Sequence, residues 1–274
     1  MPHRYRSQTI VAKARVYDLS HHASVELVSM GDLHANSEYA DLDMIRSAVD
    51  WLGGADNRYA VIPGDVFDTA IVGSVSLDLG ERGMSSKEGR HLLTAILKPV
   101  ADRILAVIPG NHDSRLTKST GSDEVDSLMC ALGIGDRYFP EGECFLQLRV
   151  GCEDHRAKSA PVPVIYRLYM THGASGGRLH GASANGLMAL RNIVHNADAY
   201  FTGHSHKPMV IPDVALEFTR DGKINERHQI FVSCGASLTR GGYGVAKAYP
   251  SLARVYPTIT FHGDHKHMSA SIEH

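Results

Sequence analysis

Five short apolar runs in this 274-residue sequence each end in a glycine that stands beside a carboxylate, amide or imidazole side chain. The five ends read Gly31-Asp32-Leu33-His34, Gly64-Asp65-Val66-Phe67-Asp68, Gly110-Asn111-His112-Asp113, His172-Gly173 and Gly203-His204-Ser205-His206. Such runs predict buried strands, and open α/β sheets carry their functional groups on the loops that follow the carboxyl ends of strands. We therefore expect these side chains to converge on one cavity.

The residue types in this set are ligands of divalent metal ions. Aspartate and histidine together suit Zn²⁺, Mn²⁺ or iron, and two ions that lie roughly 3.5 to 4 Å apart must share a ligand. A carboxylate has two oxygens and can bridge two ions, which makes Asp65 the candidate for that position. Residues i and i+2 of an extended backbone point the same way, so both members of each Asp-x-His or His-x-His pair can face one cavity. The candidate ligands are Asp32, His34, Asp65, Asn111, His172, His204 and His206.

The segments between these runs predict the elements that must position the ligands. Capping residues and helical spacing predict helices from an N-cap at Ser37 to Gly53-Gly54, from near Ser86 to Pro99, from a cap at Ser122 to Gly133, and over 186–196. Apolar runs predict strands at 25–30, 59–62, 104–108, 145–150, 164–170, 199–201 and 255–261, with an Asp-Gly hairpin of 214–219 and 229–233. The fold class is therefore predicted as α/β, with two sheets packed as a sandwich and flanked by helices.

Composition narrows the class of protein. The five runs must converge, so we predict a single domain over residues 1–274. A net charge of −2 provides no global basic field to attract nucleic acid or anionic lipid. The net charge does not decide whether the surface carries a local basic patch. Four cysteines without a C-x-x-C pair indicate a reducing compartment. With neither a signal-peptide h-region nor an apolar stretch of bilayer length, the sequence predicts a soluble, cytoplasmic protein.

The five blocks resemble, in order, the motif series of the calcineurin-like metallophosphoesterase superfamily, and the segment from Ser233 to Ser237 resembles the turn after the last motif in small bacterial and phage members. The resemblance implies a four-layer α/β/β/α fold with a motif core over about 25–262. It also implies a hydroxide that bridges two metal ions and attacks phosphorus in line. By the same resemblance, Asp32, His34, Asp65 and His206 would hold one ion, and Asp65, Asn111, His172 and His204 the other.

Other residues of the motifs are candidates for catalysis and substrate binding. His112 follows Asn111 and is not needed as a ligand, so we assign it as general acid, with Asp68 orienting its imidazole. The alternative for His112 is a structural histidine behind the ligands. Asp113 is expected to be structural. The candidates for contact with the substrate phosphate are Arg115, Arg178 and His180, for each of which a solvated loop residue is the alternative. Residues 173–186 form either a lid over the site or a surface loop, and 69–86 a loop over the site.

The sequence differs from related enzymes at positions that bear on the class of substrate. Protein Ser/Thr phosphatases continue the second motif with arginine and glycine where this chain has Thr69-Ala70, so a phosphoprotein substrate is not expected. We predict a phosphoesterase for phosphomono- or phosphodiesters, with nucleotides and nucleic acids left open as substrates and no membrane partner. One alternative is an Mre11/SbcD-like DNA nuclease, although only about seventy residues follow His206 to form the capping domain of such enzymes. The other is a non-catalytic binding module on the same fold.

Overall fold

A computed structural model of the chain describes residues 14–69, 83–153, 162–174, 177, 179–241, 245, 251 and 253–272. Its strands are β1 (Arg15–Leu19), β2 (Ser24–Ser29), β3 (Arg58–Pro63), β4 (Ile104–Ile108), β5 (Glu143–Glu153), β6 (Val162–Thr171), β7 (Ala199–Thr202), β8 (Met209–Phe218), β9 (Ile224–Ser233), β10 (Thr258–His262) and β11 (Met268–Ser271). Its α-helices are α1 (Leu42–Gly53), α2 (Ser86–Leu97), α3 (Asn111–Thr120), α4 (Glu124–Leu132) and α5 (His180–Met188). In this described part of the chain, none of the helices combines the length and the apolar character needed to cross a membrane.

The strands form two mixed sheets. One sheet has the order β11-β10-β2-β3-β4 and the other the order β1-β5-β6-β7-β9-β8. Strands β2, β3 and β4 run parallel in the first sheet, and β6, β7 and β9 run parallel in the second. Because the five polar blocks follow β2, β3, β4, β6 and β7, parallel pairing brings the blocks of each sheet to one edge.

Successive side chains of a strand point to opposite faces of its sheet, so the buried side chains form separate layers. Side chains such as Leu27 and Val61 of the first sheet pack against Leu148 and Phe201 of the second in one buried cluster. The opposite face of the first sheet packs against α1, α2 and α4, and the opposite face of the second packs against α5. The order of layers is therefore helix, sheet, sheet, helix, and the predicted fold class is confirmed.

Two helices begin at different caps from those predicted. Ser37 lies in a turn, in which its amide donates to the His34 carbonyl, and α1 begins after Asp41, whose carboxylate accepts from the Met44 amide. The cap of α4 is Asp123 rather than Ser122. In both cases an aspartate further along the chain accepts the free amides of the first turn, which an ionised carboxylate does well.

Other elements were missed or misplaced. Helix α3 covers residues for which the sequence predicts no helix. Only Asp113 of α3 is buried, so the helix has no apolar face to reveal it. Helix α5 begins at His180, six residues before its predicted start, so the segment 173–186 is not wholly a loop. Residues 70–82, which make up most of the predicted loop 69–86, lie outside the described residues.

Candidate functional site

The backbone that carries five of the candidate ligands lies in the left-handed region. The φ angles are 50° at Asp32, 42° at His34, 50° at Asp65, 67° at His204 and 55° at His206. Among the residues that the structure describes, no other non-glycine residue has a positive φ. The pairs therefore converge through tight turns and not, as expected, through an extended backbone. Such conformations cost of order 1–3 kcal/mol each and concentrate at functional sites.

The first group of ligand atoms belongs to Asp32, His34, Asp65 and His206, and these atoms all lie within 4.8 Å of one another. Nε2 of His34 lies 3.3 Å from Nε2 of His206 and 3.9 Å from Oδ2 of Asp65. Nε2 of His206 lies 3.8 Å from Oδ1 of Asp32. Asp32, His34 and Asp65 are buried, and His206 is partly exposed. Four lone-pair donors thus face one small volume.

The second group contains Asp65, His172 and His204, again within 4.8 Å of one another. Nε2 of His172 lies 3.2 Å from Oδ2 of Asp65. Oδ1 of Asn111 lies 3.0 Å from Nε2 of His172 and 2.7 Å from Nδ1 of His204, so the amide joins this group. Nδ1 of His172 lies 2.7 Å from the Pro63 carbonyl and donates to it, which directs Nε2 towards the other ligand atoms.

The protonation states of His34, His206 and Asp65 suit a metal ion. Burial lowers the pKa of His34 and of the partly covered His206, each to about 4, so both rings are neutral at pH 7 and can act as ligands. Burial also acts to raise the pKa of Asp65, but the hydrogen bond and charge of His172 outweigh it and hold the pKa well below its usual range. Nδ1 of His34 is buried without a hydrogen-bond partner among the described residues. Burial acts to lower the pKa of His172, but the hydrogen bond and charge of Asp65 raise it to about 9, so this ring carries a proton that a metal ion would displace. The neutral rings of His34 and His206 and the ionised carboxylate of Asp65 form a donor set that fits divalent cations.

His112 lies beside the first group, in the first turn of α3. Its Nδ1 lies 2.7 Å from Oδ1 of Asp68, and its ring meets the ring of His34 edge to face at a centroid distance of 4.9 Å. Burial acts to lower the pKa of His112, but the hydrogen bond to Asp68 and the charges of Asp65 and Asp68 raise it above its ordinary value. His34, Asp68 and His112 also place ligand atoms within 4.8 Å of one another.

Two hydrogen-bonding residues fix the loop that carries Asp68. The side chain of Asn36 accepts from the Asp68 amide at 2.7 Å and donates to the Asp68 carbonyl at 2.8 Å. The carboxylate of Asp113 accepts from the amides of Val66, Phe67 and Gly110 at 3.1, 2.8 and 2.8 Å. Burial, together with the charge of Asp65, raises the pKa of Asp113 to about 7. Asn36 was not among the residues predicted from the sequence, although its position two residues after His34 was an available signal.

The three candidates for substrate contact differ in position. The Arg115 guanidinium lies beside the His112 ring, with Nη1 3.1 Å from Nδ1 and Nη2 3.3 Å from Nε2. His180 is an exposed residue at the start of α5. Arg178 lies outside the described residues. The structure therefore brings one of the three, Arg115, to the site.

Two further buried side chains adjoin the ligands and were missed by sequence reasoning. Nζ of Lys207 donates to the Gly177 carbonyl at 2.8 Å and lies 3.3 Å from the Ser183 hydroxyl, which ties α5 to the turn after β7. The Cys234 thiol lies 3.3 Å from Oδ2 of Asp32. Burial, followed by the nearby Asp32 carboxylate, raises the pKa of Cys234 and keeps it protonated. Because these contacts join residues that lie far apart in the sequence, no local spacing predicts them.

Comparison with solved structures finds distant likenesses. A Streptococcus pneumoniae protein described as a predicted phosphoesterase is 14% identical, with a TM-score of 0.36 over 87% of this chain and 84% of that one. A Sphaerobacter thermophilus metallophosphoesterase is 15% identical, with a TM-score of 0.36 over 89% and 90%. GAP50 of Plasmodium, described as the anchor in the inner membrane complex, is 13% identical, with a TM-score of 0.46 over 88% and 82%. These TM-scores lie below 0.5 and decide nothing about function.

Sequence comparison is more decisive. No curated protein sequence matches the chain significantly. The family model described as calcineurin-like phosphoesterase matches residues 27–208, which is more than half of the chain and includes all five polar blocks. The resemblance stated from the motifs is thereby confirmed, and the chain belongs to the calcineurin-like phosphoesterase family.

Proposed function

We propose that this protein is a binuclear metal-dependent phosphoesterase that hydrolyses phosphomono- or phosphodiester bonds. The observation that carries the proposal is the position of Asp65. Its Oδ2 lies 3.9 Å from Nε2 of His34 in the first group of ligand atoms and 3.2 Å from Nε2 of His172 in the second. A carboxylate that faces both groups is what two neighbouring cations require as a shared ligand.

The residues divide between two cations on this basis. Carboxylate, amide and imidazole donors suit Mn²⁺, Zn²⁺ and iron, and the choice among them is left open. When bound, such ions lower the pKa of water and neutralise charge that develops on phosphoryl oxygens. Asp32, His34, Asp65 and His206 would hold the first ion, and Asp65, Asn111, His172 and His204 the second.

His112 is the general acid in this proposal. The hydrogen bond between its Nδ1 and Asp68 fixes the ring, and Nε2, which lies 3.3 Å from Nη2 of Arg115, gives a proton to the oxygen of the leaving group. A raised pKa keeps a larger fraction of the ring protonated at neutral pH. Arg115 lies beside the same ring and supplies a positive charge for the substrate phosphate. The substrate is thus a phosphate ester, with nucleotides and nucleic acids among the compounds to be tested.

The first experiment tests the two-metal centre. Metal-stripped protein is resupplied with Mn²⁺ or Zn²⁺, and we measure both the ions bound per chain and the hydrolysis of p-nitrophenyl phosphate and bis-p-nitrophenyl phosphate. Two ions should bind per wild-type chain. Asp65→Asn should remove at least one ion and lower kcat by about 10³-fold or more, because it weakens the shared ligand. Asp221→Asn, in the exposed turn between β8 and β9, is the matched control and should behave as wild type.

The second experiment tests the general acid. His112→Ala should keep two ions but lower kcat by about 10²–10⁴-fold for an alkyl phosphate ester, which is the usual contribution of such a group. The loss should be smaller with p-nitrophenolate, because this leaving group needs little protonation. An equal loss with both leaving groups would favour the structural role of His112. A wild-type chain that binds metal but turns over neither nitrophenyl ester, nor an extended panel of nucleotides and DNA, would support the binding-module alternative.

A further inference from the structure

A buried cysteine outside the ligand set contacts one of the proposed ligands. Cys234 follows the last residue of β9 and is fully buried, as is Asp32. The Cys234 amide donates to the Thr202 carbonyl at 2.9 Å, which fixes the residue beside the end of β7. The Sγ atom lies 3.3 Å from Oδ2 of Asp32, at the ordinary distance of a thiol donating to a carboxylate.

The space around this contact is closed on the side of Gly31. A Cβ at residue 31 would lie 2.8 Å from Sγ of Cys234 and 2.8 Å from Cγ of Pro63, closer than side-chain atoms pack. The backbone also holds the neighbouring turn, because the Ser237 amide donates to the Asp32 carbonyl at 3.0 Å. Cys234 and Asp32 are therefore held against each other by the strand ends and the turns around them.

The two oxygens of Asp32 have different surroundings. Oδ1 faces the first ligand group, 3.8 Å from Nε2 of His206, and accepts from the His204 amide at 3.0 Å. Oδ2 accepts from Cys234. Among the described residues, the Cys234 thiol is thus the one hydrogen-bond donor to Oδ2 of Asp32. In metal sites, such outer hydrogen bonds fix the plane of a ligating carboxylate.

We propose that Cys234 is a positioning residue, which holds Oδ2 of Asp32 so that Oδ1 faces the first metal ion. The inference rests on the proposed two-metal function. It does not make Cys234 a ligand, because no group of potential ligand atoms among the described residues includes its sulfur. The purely structural alternative is a small buried side chain that fills space, in which case only volume, and not the hydrogen bond, would matter.

The test compares substitutions that separate volume from hydrogen bonding. Cys234→Ala removes the donor, and Cys234→Ser replaces the thiol with a hydroxyl that still donates. Cys144→Ala is the matched control, because Cys144 is equally buried but packs in the apolar layer between the sheets. Each full-length, metal-stripped variant is titrated with Mn²⁺, and free Mn²⁺ is followed by its electron paramagnetic resonance signal. Thermal unfolding of the metal-free variants checks that each one folds.

Cys234→Ala should bind one of the two Mn²⁺ ions about 10–100-fold more weakly, the usual effect of losing an outer hydrogen bond to a ligand. Cys234→Ser should recover most of that affinity, and Cys144→Ala should match wild type. Unchanged affinity in Cys234→Ala, or equal weakening in the alanine and serine variants, would overturn the positioning role while leaving the two-metal proposal intact. A wild-type chain that binds no Mn²⁺ would overturn both.

Discussion

The two halves of the candidate site are built on different kinds of backbone. Asp32, His34, Asp65, His204 and His206 stand on left-handed residues in the turns that follow β2, β3 and β7. Asn111, His112 and Arg115 instead belong to the first turns of α3, where the backbone is regular. A strained turn keeps its left-handed backbone only while the surrounding structure holds it there. A helix, in contrast, positions several side chains through one regular element.

The halves meet at Asp65 and Asp113. The His112 amide donates to Oδ1 of Asp65 at 2.8 Å, while Oδ2 of Asp65 faces the histidines. Asp113 reaches back from α3 and accepts from Val66, Phe67 and Gly110 in the turns after β3 and β4. The carboxylates of Asp65 and Asp113 therefore hold the helical half against the strand-end half. Substitutions at these contacts test how far each half depends on the other.

The largest effect on stability is expected for Asp113→Ala. The substitution leaves three backbone amides without their acceptor, and each buried unsatisfied group costs about 1–3 kcal/mol. We expect the free energy of unfolding, measured by urea denaturation, to fall by about 3–5 kcal/mol in total, allowing for partial access of water. Asp113→Asn, which keeps one acceptor oxygen, should lose less. An unchanged midpoint for Asp113→Ala would mean that α3 does not depend on this carboxylate.

The strand-end half of the site could be predicted from the sequence because its signals are local. An apolar run, a glycine and a ligand-type side chain lie next to each other in each block, so the approximate positions of β2, β3, β4, β6 and β7 followed from reading along the chain. The left-handed φ of residues such as His34 did not follow, because an i, i+2 pair fits an extended strand as well as a tight turn.

In the helical half, the residues Asn111, His112 and Arg115 were named from the sequence, but helix α3 itself and the contacts that support the site could not be predicted, for physical reasons. Helix α3 buries only Asp113 and so shows no apolar periodicity. The contact of Asn36 with Asp68 crosses 32 positions, and that of Cys234 with Asp32 crosses 202. Such pairings depend on the tertiary fold and leave no spacing to recognise. The candidates near the ligands in sequence were found, and those near only in space were missed.

A moderate effect is expected for Asn36→Ala, which tests how the Asp68 loop supports the helical half. Removing the side chain leaves both the amide and the carbonyl of Asp68 without their partner, which should lower the free energy of unfolding by about 1–3 kcal/mol. Because Asp68 then orients His112 less well, kcat should fall while the Mn²⁺ affinity stays near that of wild type. Asn57→Ala is the matched control. Asn57 lies directly before β3, and its side chain also donates to a backbone carbonyl, that of Ser24, but it does not contact Asp68. A fall in Mn²⁺ affinity equal to the fall in kcat would contradict this division of roles.

The smallest effect is expected for a pair of substitutions that isolates backbone strain in the strand-end half. His204 has a φ of 67° and is partly exposed, so replacing it removes little packing. His204→Gly and His204→Ala both delete the imidazole, but only glycine adopts the left-handed conformation without the steric cost of a Cβ, about 1–2 kcal/mol. Glycine also loses more entropy on folding, by roughly 0.5–1 kcal/mol. The metal-free glycine variant should therefore be more stable than the alanine variant by about 0.5–1 kcal/mol in urea denaturation. Equal stability would show that the turn after β7 is not strained, and the difference between the two halves would then lie in side-chain contacts alone.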